Sequence, residues 1–335
     1  MRGQHFIVIG FLLFLSSFLV VFSYYFVLKN SDVKDTVPNR TFSWHVAMVT
    51  SNAEEPFWQE TYQAARSRGE ELDAYVELFG NGLAERYTVE ELMAMAVYSS
   101  VDAIMVEPVE GEAMHLMLEK ARDASIPVIT LRKDISSSSH QGFVGTNDYF
   151  LGQDYGRRIL KIAAQGTSRV AVLMPAGSFE GPAQEWFTSG LRNTVAQYGI
   201  TAEIYPVMED DGGLNNAEEV VRGLLSNGTV PDIIVCLNAP VTTTVWRVLR
   251  ANRPLSARIK IIGAEMSSAL MEGIRNNEID SVITINPLKL GTMAVDALSA
   301  YRMHGMVSYY TEVGSEIVDR ENVDTYAATM QGVWQ

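Results

Sequence analysis

The sequence predicts an α/β protein of two lobes, each with a parallel sheet, behind one N-terminal apolar segment. Three observations carry that prediction. From Trp44 onward, short apolar runs alternate with longer amphipathic stretches. The runs are Val- and Ile-rich and nearly continuous, as expected of strands buried on both faces. Setting aside roughly the first forty residues leaves about 290, which is long for one α/β domain and natural for two of ~150 each.

The first element is the run Phe6–Leu28, 23 residues without a charge. Roughly 20 apolar residues span a bilayer as a helix, whereas a cleaved signal peptide has an apolar core of about 7–15 residues ahead of a small-x-small site. Here Tyr24-Tyr25-Phe26-Val27-Leu28 prolongs the run, and the passable cleavage site is Val21-Phe22-Ser23. An uncleaved membrane anchor over residues 1–30 is therefore expected; cleavage would release a secreted protein. No cysteine lies nearby, which excludes a lipoprotein. Arg2 on one side and Lys29 and Lys34 on the other leave the positive-inside rule undecided. Residues 31–43, polar and containing Pro38, read as a tether.

The strand-like runs that follow are His45–Thr50, Ala103–Val106, Val128–Leu131, Val170–Met174, Ile233–Leu237, Ile259–Ile262 and Val282–Ile285. Between them lie the helix-like stretches Phe57–Glu71, Val89–Tyr98, Glu112–Ala124, Leu151–Ala164, Glu185–Tyr198, Asn216–Leu225, Val241–Ala251 and Leu288–His304. Such alternation implies right-handed crossovers and parallel sheets, and the strands are too many for one open sheet.

Composition narrows the function. With 26 Lys+Arg against 40 Asp+Glu, the net charge of −14 argues against nucleic acid, whose phosphates need clustered cations. The one cysteine, Cys236, lies in the apolar run Ile233–Leu237 and reads as a core thiol. His5, His45, His115, His140 and His304 have no metal-ligand spacing, so no metal or cofactor is expected. Phosphate-binding glycine loops and the G-x-S-x-G elbow are missing. The pairs Glu54-Glu55 and Asp210-Asp211 read as solvated rather than as a glycosidase dyad. The chain is read as a binding protein, not an enzyme.

In α/β folds ligands bind beyond the carboxyl ends of the strands, or in the cleft between lobes. The first strand is followed by Thr50-Ser51-Asn52-Ala53-Glu54-Glu55-Pro56-Phe57-Trp58. Pro56 suits a first helical turn, with Glu54 and Glu55 at its positive end. Phe57 and Trp58 are consecutive, so one narrow helix stripe cannot hold both. Either at least one faces the cleft, where a flat ring stacks on a sugar's C–H face, or both rings are core. Glu107 follows the third strand. Arg132-Lys133-Asp134 follows the fourth and is either solvated or aimed at a ligand. Asn238, Glu265 and Asn286 follow later runs.

These motifs, in order, carry a resemblance. Pro56-Phe57-Trp58, Ile126-Pro127-Val128-Ile129-Thr130 and Val144-Gly145-Thr146-Asn147-Asp148 leading to Leu151-Gly152 come first. Leu237-Asn238, Ile261-Ile262-Gly263-Ala264-Glu265 and Ile285-Asn286-Pro287 leading to Leu290-Gly291 follow. Over roughly residues 44–320 the chain resembles the type I periplasmic sugar-binding family, relatives of ribose-binding protein and of the ligand domain of lac-type repressors. A membrane segment stands where a repressor's helix-turn-helix would be. The resemblance implies two Rossmann-like lobes joined by a three-segment hinge: 44–146 plus 287–314, and 147–286 plus 315–335. It implies an extracytoplasmic domain that binds a small polar ligand, a sugar or polyol.

Carried over position by position, the resemblance implies ligand contacts at Ser51, Glu55, Phe57, Trp58, Arg132, Lys133, Asn147, Glu185, Asn238, Glu265 and Asn286. Glu55 stands where Asn is common, Arg132-Lys133 replaces an Asp-Arg pair, and Glu185 falls on an arginine position. An amino sugar or other cation becomes a ligand if Glu55, Glu185 and Glu265 all reach the cleft. The implied partner is an ABC permease; the alternative is a sensor role with a membrane histidine kinase or chemoreceptor.

Overall fold

The computed structural model describes residues 41–330 apart from 84, 137–138, 165–168, 176–181, 209–215 and 227–229. The expected anchor, most of the tether and the Asp210-Asp211 pair lie outside the described residues. Among the described residues no helix is long and apolar enough to cross a membrane.

The first sheet is made by β1 (Trp44–Val49), β2 (Ala74–Leu78), β3 (Ala103–Val106), β4 (Val128–Arg132), β5 (Gly142–Gly145) and, much later in the chain, β11 (Tyr310–Glu312). Its order is β11-β5-β4-β3-β1-β2. The second contains β6 (Arg169–Pro175), β7 (Thr201–Val207), β8 (Ile233–Cys236), β9 (Lys260–Ala264), β10 (Ser281–Ile285) and β12 (Ser315–Asp319). Its order, β12-β10-β9-β8-β6-β7, repeats the first strand for strand. The two lobes are thus built on one plan. Both sheets are parallel but for one pairing: β12 runs antiparallel to β10, whereas its counterpart β11 runs parallel to β5.

The central strands β3 and β8 are buried along their whole length, which is why they read as unbroken apolar runs. The edge strands β2 and β7 escape that reading. Each wets one side, so exposed residues such as Tyr75, Thr201 and Glu203 interrupt the pattern. The short β5, β11 and β12 escape it as well.

The helices around the first sheet are α1 (Pro56–Glu71), α2 (Val89–Tyr98) and α3 (Glu112–Asp123). The second lobe has α4 (Asp148–Ile162), α5 (Pro182–Val195), α6 (Ala217–Ser226), α7 (Ala239–Arg250), the single turn α8 (Arg253–Ser256) and α9 (Ser268–Arg275). Then come α10 (Pro287–His304), which packs on α1 in the first lobe, and α11 (Val323–Thr329). α4 begins three residues before the periodicity suggests, because the Asn147 side chain accepts from the amides of Tyr149 and Phe150 and starts the helix there. α10 starts the same way under Asn286.

Each lobe holds one helix pair in backbone contact. A β-carbon at Gly291 would stand 2.1 Å from the Thr61 carbonyl oxygen. One at Gly152 would meet the Phe187 oxygen, and one at Gly190 the Tyr149 oxygen, both at 2.1 Å. Leu151-Gly152 and Leu290-Gly291 therefore mark close helix approaches.

The chain passes between the sheets three times: from β5 into α4, from β10 into α10, and from β11 into β12. Cross-links tie these passages together. The Asn147 amide donates to the Tyr310 hydroxyl at 3.0 Å, and the Asn286 side-chain amide donates to Glu316 at 2.9 Å.

Candidate functional site

The repeated plan puts the carboxyl ends of both sheets at the junction between the lobes. β4 and β9 are counterparts, and each is followed or ended by a residue with left-handed backbone. Arg132 has φ 63° and Glu265 has φ 55°, uncommon for residues with a β-carbon. These turns aim the two side chains at each other. Arg132 Nη2 donates to Glu265 Oε1, an ion pair bridging the lobes. Arg132 and Glu265, both expected at the cleft from the sequence, are thus brought together.

A second carboxylate approaches the same guanidinium. Glu107 follows β3 and is almost fully buried, with Oε1 3.6 Å from Arg132 Nη1. Its Oε2 accepts from the Ser51 hydroxyl at 2.7 Å. Ser51 and Glu107 follow β1 and β3, the neighbours at which the strand order reverses, where α/β sheets hold ligands. Glu107 is not among the residues assigned to the site from sequence. The rule that the residue directly after a strand faces the ligand would have found it.

Glu55 is the third. It occupies the N-cap of α1, yet its side chain makes no capping bond. Burial, helped by the charges of Glu265 and Glu107 and opposed by Arg132, pushes its carboxyl up to about 7. The Arg132 guanidinium lies 5.4 Å from the centre of the half-buried Phe57 ring, so a cation already covers one aromatic face here. Glu265 Oε2 accepts from the Ala239 amide at 3.1 Å, which anchors it to the first turn of α7.

Lys133 extends the cluster. Burial and then Arg132 hold its ammonium below the usual lysine range. Asp148, at the start of α4, is pushed up to about 6 by burial, with Lys133 opposing. The hydroxyls of Thr50, directly after β1, and Thr146, directly after β5, are buried without a hydrogen-bond partner among the described residues.

Other expected contacts are placed elsewhere. Trp58 is fully buried in the first-lobe core with Trp44, Met48 and Leu290, while Phe57 lies at its edge. The pair is split: Phe57 faces the junction and Trp58 the core, because the two side chains leave α1 about 100° apart. Glu185 is exposed on α5 and outside the cluster. Asn147, Asn238 and Asn286 spend their amide oxygens capping α4, α7 and α10, and Asn286 is further held by Glu316. Those asparagines organise helix starts around the junction.

A mutational contrast follows. Trp58→Ala is expected to cost about 3–5 kcal/mol of stability, as a buried aromatic does. Phe57→Ala should leave unfolding nearly unchanged and weaken ligand binding. Denaturant melts and calorimetry on both variants check this, and equal stability losses would put both rings in the core.

Two lobes of the same doubly wound plan, meeting at their strand ends around a charged and aromatic cluster, define a two-lobed binding protein. The family model described as periplasmic binding protein domain matches residues 46–305, and the chain belongs to that family. It is 21% identical over 307 residues to the xylose/arabinose-binding protein XylF of Sulfolobus acidocaldarius, covering 85% of this chain and 73% of that one. It is 22% identical over 234 residues to a putative rhizopine-binding protein of Rhizobium meliloti, covering 68% and 74%. Among solved structures, the periplasmic ribose ABC transporter protein of Conexibacter woesei superposes with a TM-score of 0.73 at 15% identity, covering 88% of this chain and 99% of that one. The glucose-galactose binding protein GanP of Geobacillus stearothermophilus gives 0.71 at 20%, covering 83% and 98%.

Proposed function

We propose that this protein is an extracytoplasmic solute-binding protein that closes its lobes on a sugar or polyol and hands it to an ABC permease. The observation that carries the reading is the meeting of Arg132 and Glu265 across the junction, beside Phe57 and at the β1–β3 reversal. Ser51, Glu55, Phe57, Arg132, Lys133 and Glu265 are its ligand-facing residues, with Glu107 added. Hydroxyl-rich ligands suit the buried acceptors there, and the unpaired Thr50 and Thr146 hydroxyls fit the same chemistry. The matched relatives named for xylose/arabinose and for ribose support the class. Lobe one is 44–146 plus 287–314 and lobe two 147–286 plus 315–335, with hinge closure about the three passages. Mass spectrometry of ligand retained through gentle purification, followed by calorimetry with that compound and with free pentoses and hexoses, tests the reading. A folded protein that retains nothing and gives no heat with any of them sinks it.

A second reading has its own support. The 23-residue apolar run Phe6–Leu28 fits an uncleaved anchor with the binding domain outside the membrane. One similar structure is a XylFII–LytSN complex, at 20% identity and a TM-score of 0.63. The protein would then present bound sugar to a membrane sensor. Neighbouring genes separate the roles: an ATPase and permease pair for uptake, a histidine kinase for sensing.

A further inference from the structure

We infer that the ligand of this cleft carries a protonated amine, as an amino sugar or amino polyol does, and that Glu55 is the carboxylate that receives it. The inference rests on the proposed sugar-binding function and names the ligand's class.

Three carboxylates, Glu55, Glu107 and Glu265, act on one guanidinium, that of Arg132. Two of them are committed. Glu107 holds Ser51 and lies beside Arg132 Nη1, and Glu265 holds Arg132 Nη2 and the Ala239 amide. The Glu55 carboxylate makes no capping bond and no ion pair within 4 Å among the described residues, and its neighbours Glu265 and Glu107 both oppose its charge. Lys133 feels the charge of Arg132, and Asp148 and Lys133 offset one another. The junction is therefore acidic on balance, with one acid group uncommitted.

The box already accepts a cation, because the Arg132 guanidinium sits over Phe57 and between carboxylates. An aromatic face ringed by acids attracts positive charge. A neutral polyol would bring only hydroxyl donors and leave Glu55 protonated near neutral pH, whereas an ammonium would give the carboxylate its counter-charge inside a desolvated cleft. Glu185, the third acid the sequence suggested for a cationic ligand, is exposed on α5; Glu107 takes that place.

Calorimetry on the full chain tests this with glucosamine, galactosamine and mannosamine, each set against its neutral parent hexose and its N-acetyl derivative. At least one amine is expected to bind tenfold or more tightly than both of its neutral partners. That preference should grow as pH rises through about 7, where Glu55 ionises. In Glu55→Gln the ratio of amine to neutral-sugar affinity should fall to about one. Neutral sugars binding as well as the amines, or a preference unchanged in Glu55→Gln, overturns the amine assignment and leaves the sugar reading intact. No binding by any sugar, charged or neutral, to a protein that melts cooperatively overturns both.

Discussion

Arg158→Ala is expected to destabilise the protein by about 3–5 kcal/mol, the loss typical when one member of a buried ion pair is removed. Arg158 lies on α4 and is almost wholly buried. Its Nε and Nη2 donate to Asp280 Oδ2 at 2.9 and 2.6 Å, Nη1 donates to Asp319 at 2.9 Å, and Nε also reaches the Ser281 hydroxyl at 2.9 Å. One side chain thus fastens α4 to the start of β10 and the end of β12. Truncation strands two largely buried carboxylates, with Lys161 3.8 Å from Asp319 as the remaining cation. Urea unfolding should show a lower midpoint at an unchanged slope. A loss below about 1 kcal/mol would mean the pair is screened like a surface bridge.

Gly291→Ala is the second large effect, and there two principles oppose each other. Helix propensity favours alanine over glycine by about 0.8–1 kcal/mol inside a helix. Overpacking costs about 1–3 kcal/mol and occasionally more. At Gly291 the new β-carbon would lie 2.1 Å from the Thr61 oxygen and 2.9 Å from the Ala65 nitrogen, both backbone atoms that yield only if α1 and α10 move apart. Packing wins, and a net loss of about 2 kcal/mol or more is expected. Gly223 in α6 is the control. Nothing lies within 4 Å of its β-carbon position, so Gly223→Ala should stabilise slightly. Thermal melts of the two variants shifting in the same direction would remove this account.

The acidic junction also sets a pH dependence. Glu55 ordinarily titrates at 4.5 but in the folded protein near 7, mainly through burial. Between those values the folded state holds a proton that the unfolded chain has released, so stability falls as pH rises across that window. Asp148, raised to about 6 by burial, adds to the fall with the same sign. Melting temperatures should decline from about pH 5 to pH 7, and Glu55→Gln should flatten part of the decline. An unchanged slope in that variant would show that Glu55 ionises freely in the folded state.

The sequence by itself determined the architecture, because burial on both faces writes a central strand as an unbroken apolar run. Ala103–Val106 and Ile233–Cys236 were legible for that reason. The edge strands β2 and β7 were not, since wetting one side breaks the run, and the antiparallel β12 has no local signature of direction. The asparagines showed a related limit. Asn147, Asn238 and Asn286 stand where the family's ligand contacts fall, but a polar residue at the end of a strand is also at the start of the next helix. Whether its oxygen serves a ligand or an N–H group of its own chain depends on local backbone geometry.

Only the tertiary structure decided which side of α1 each consecutive ring occupies, sending Phe57 to the junction and Trp58 to the core. It alone brought together Glu55, Glu107, Arg132 and Glu265, which span 211 positions of the chain. Charge complementarity acts through space, between residues that folding makes neighbours. The order of motifs gave the binding-protein class, and convergence of three acids on one guanidinium gave the site its chemical character.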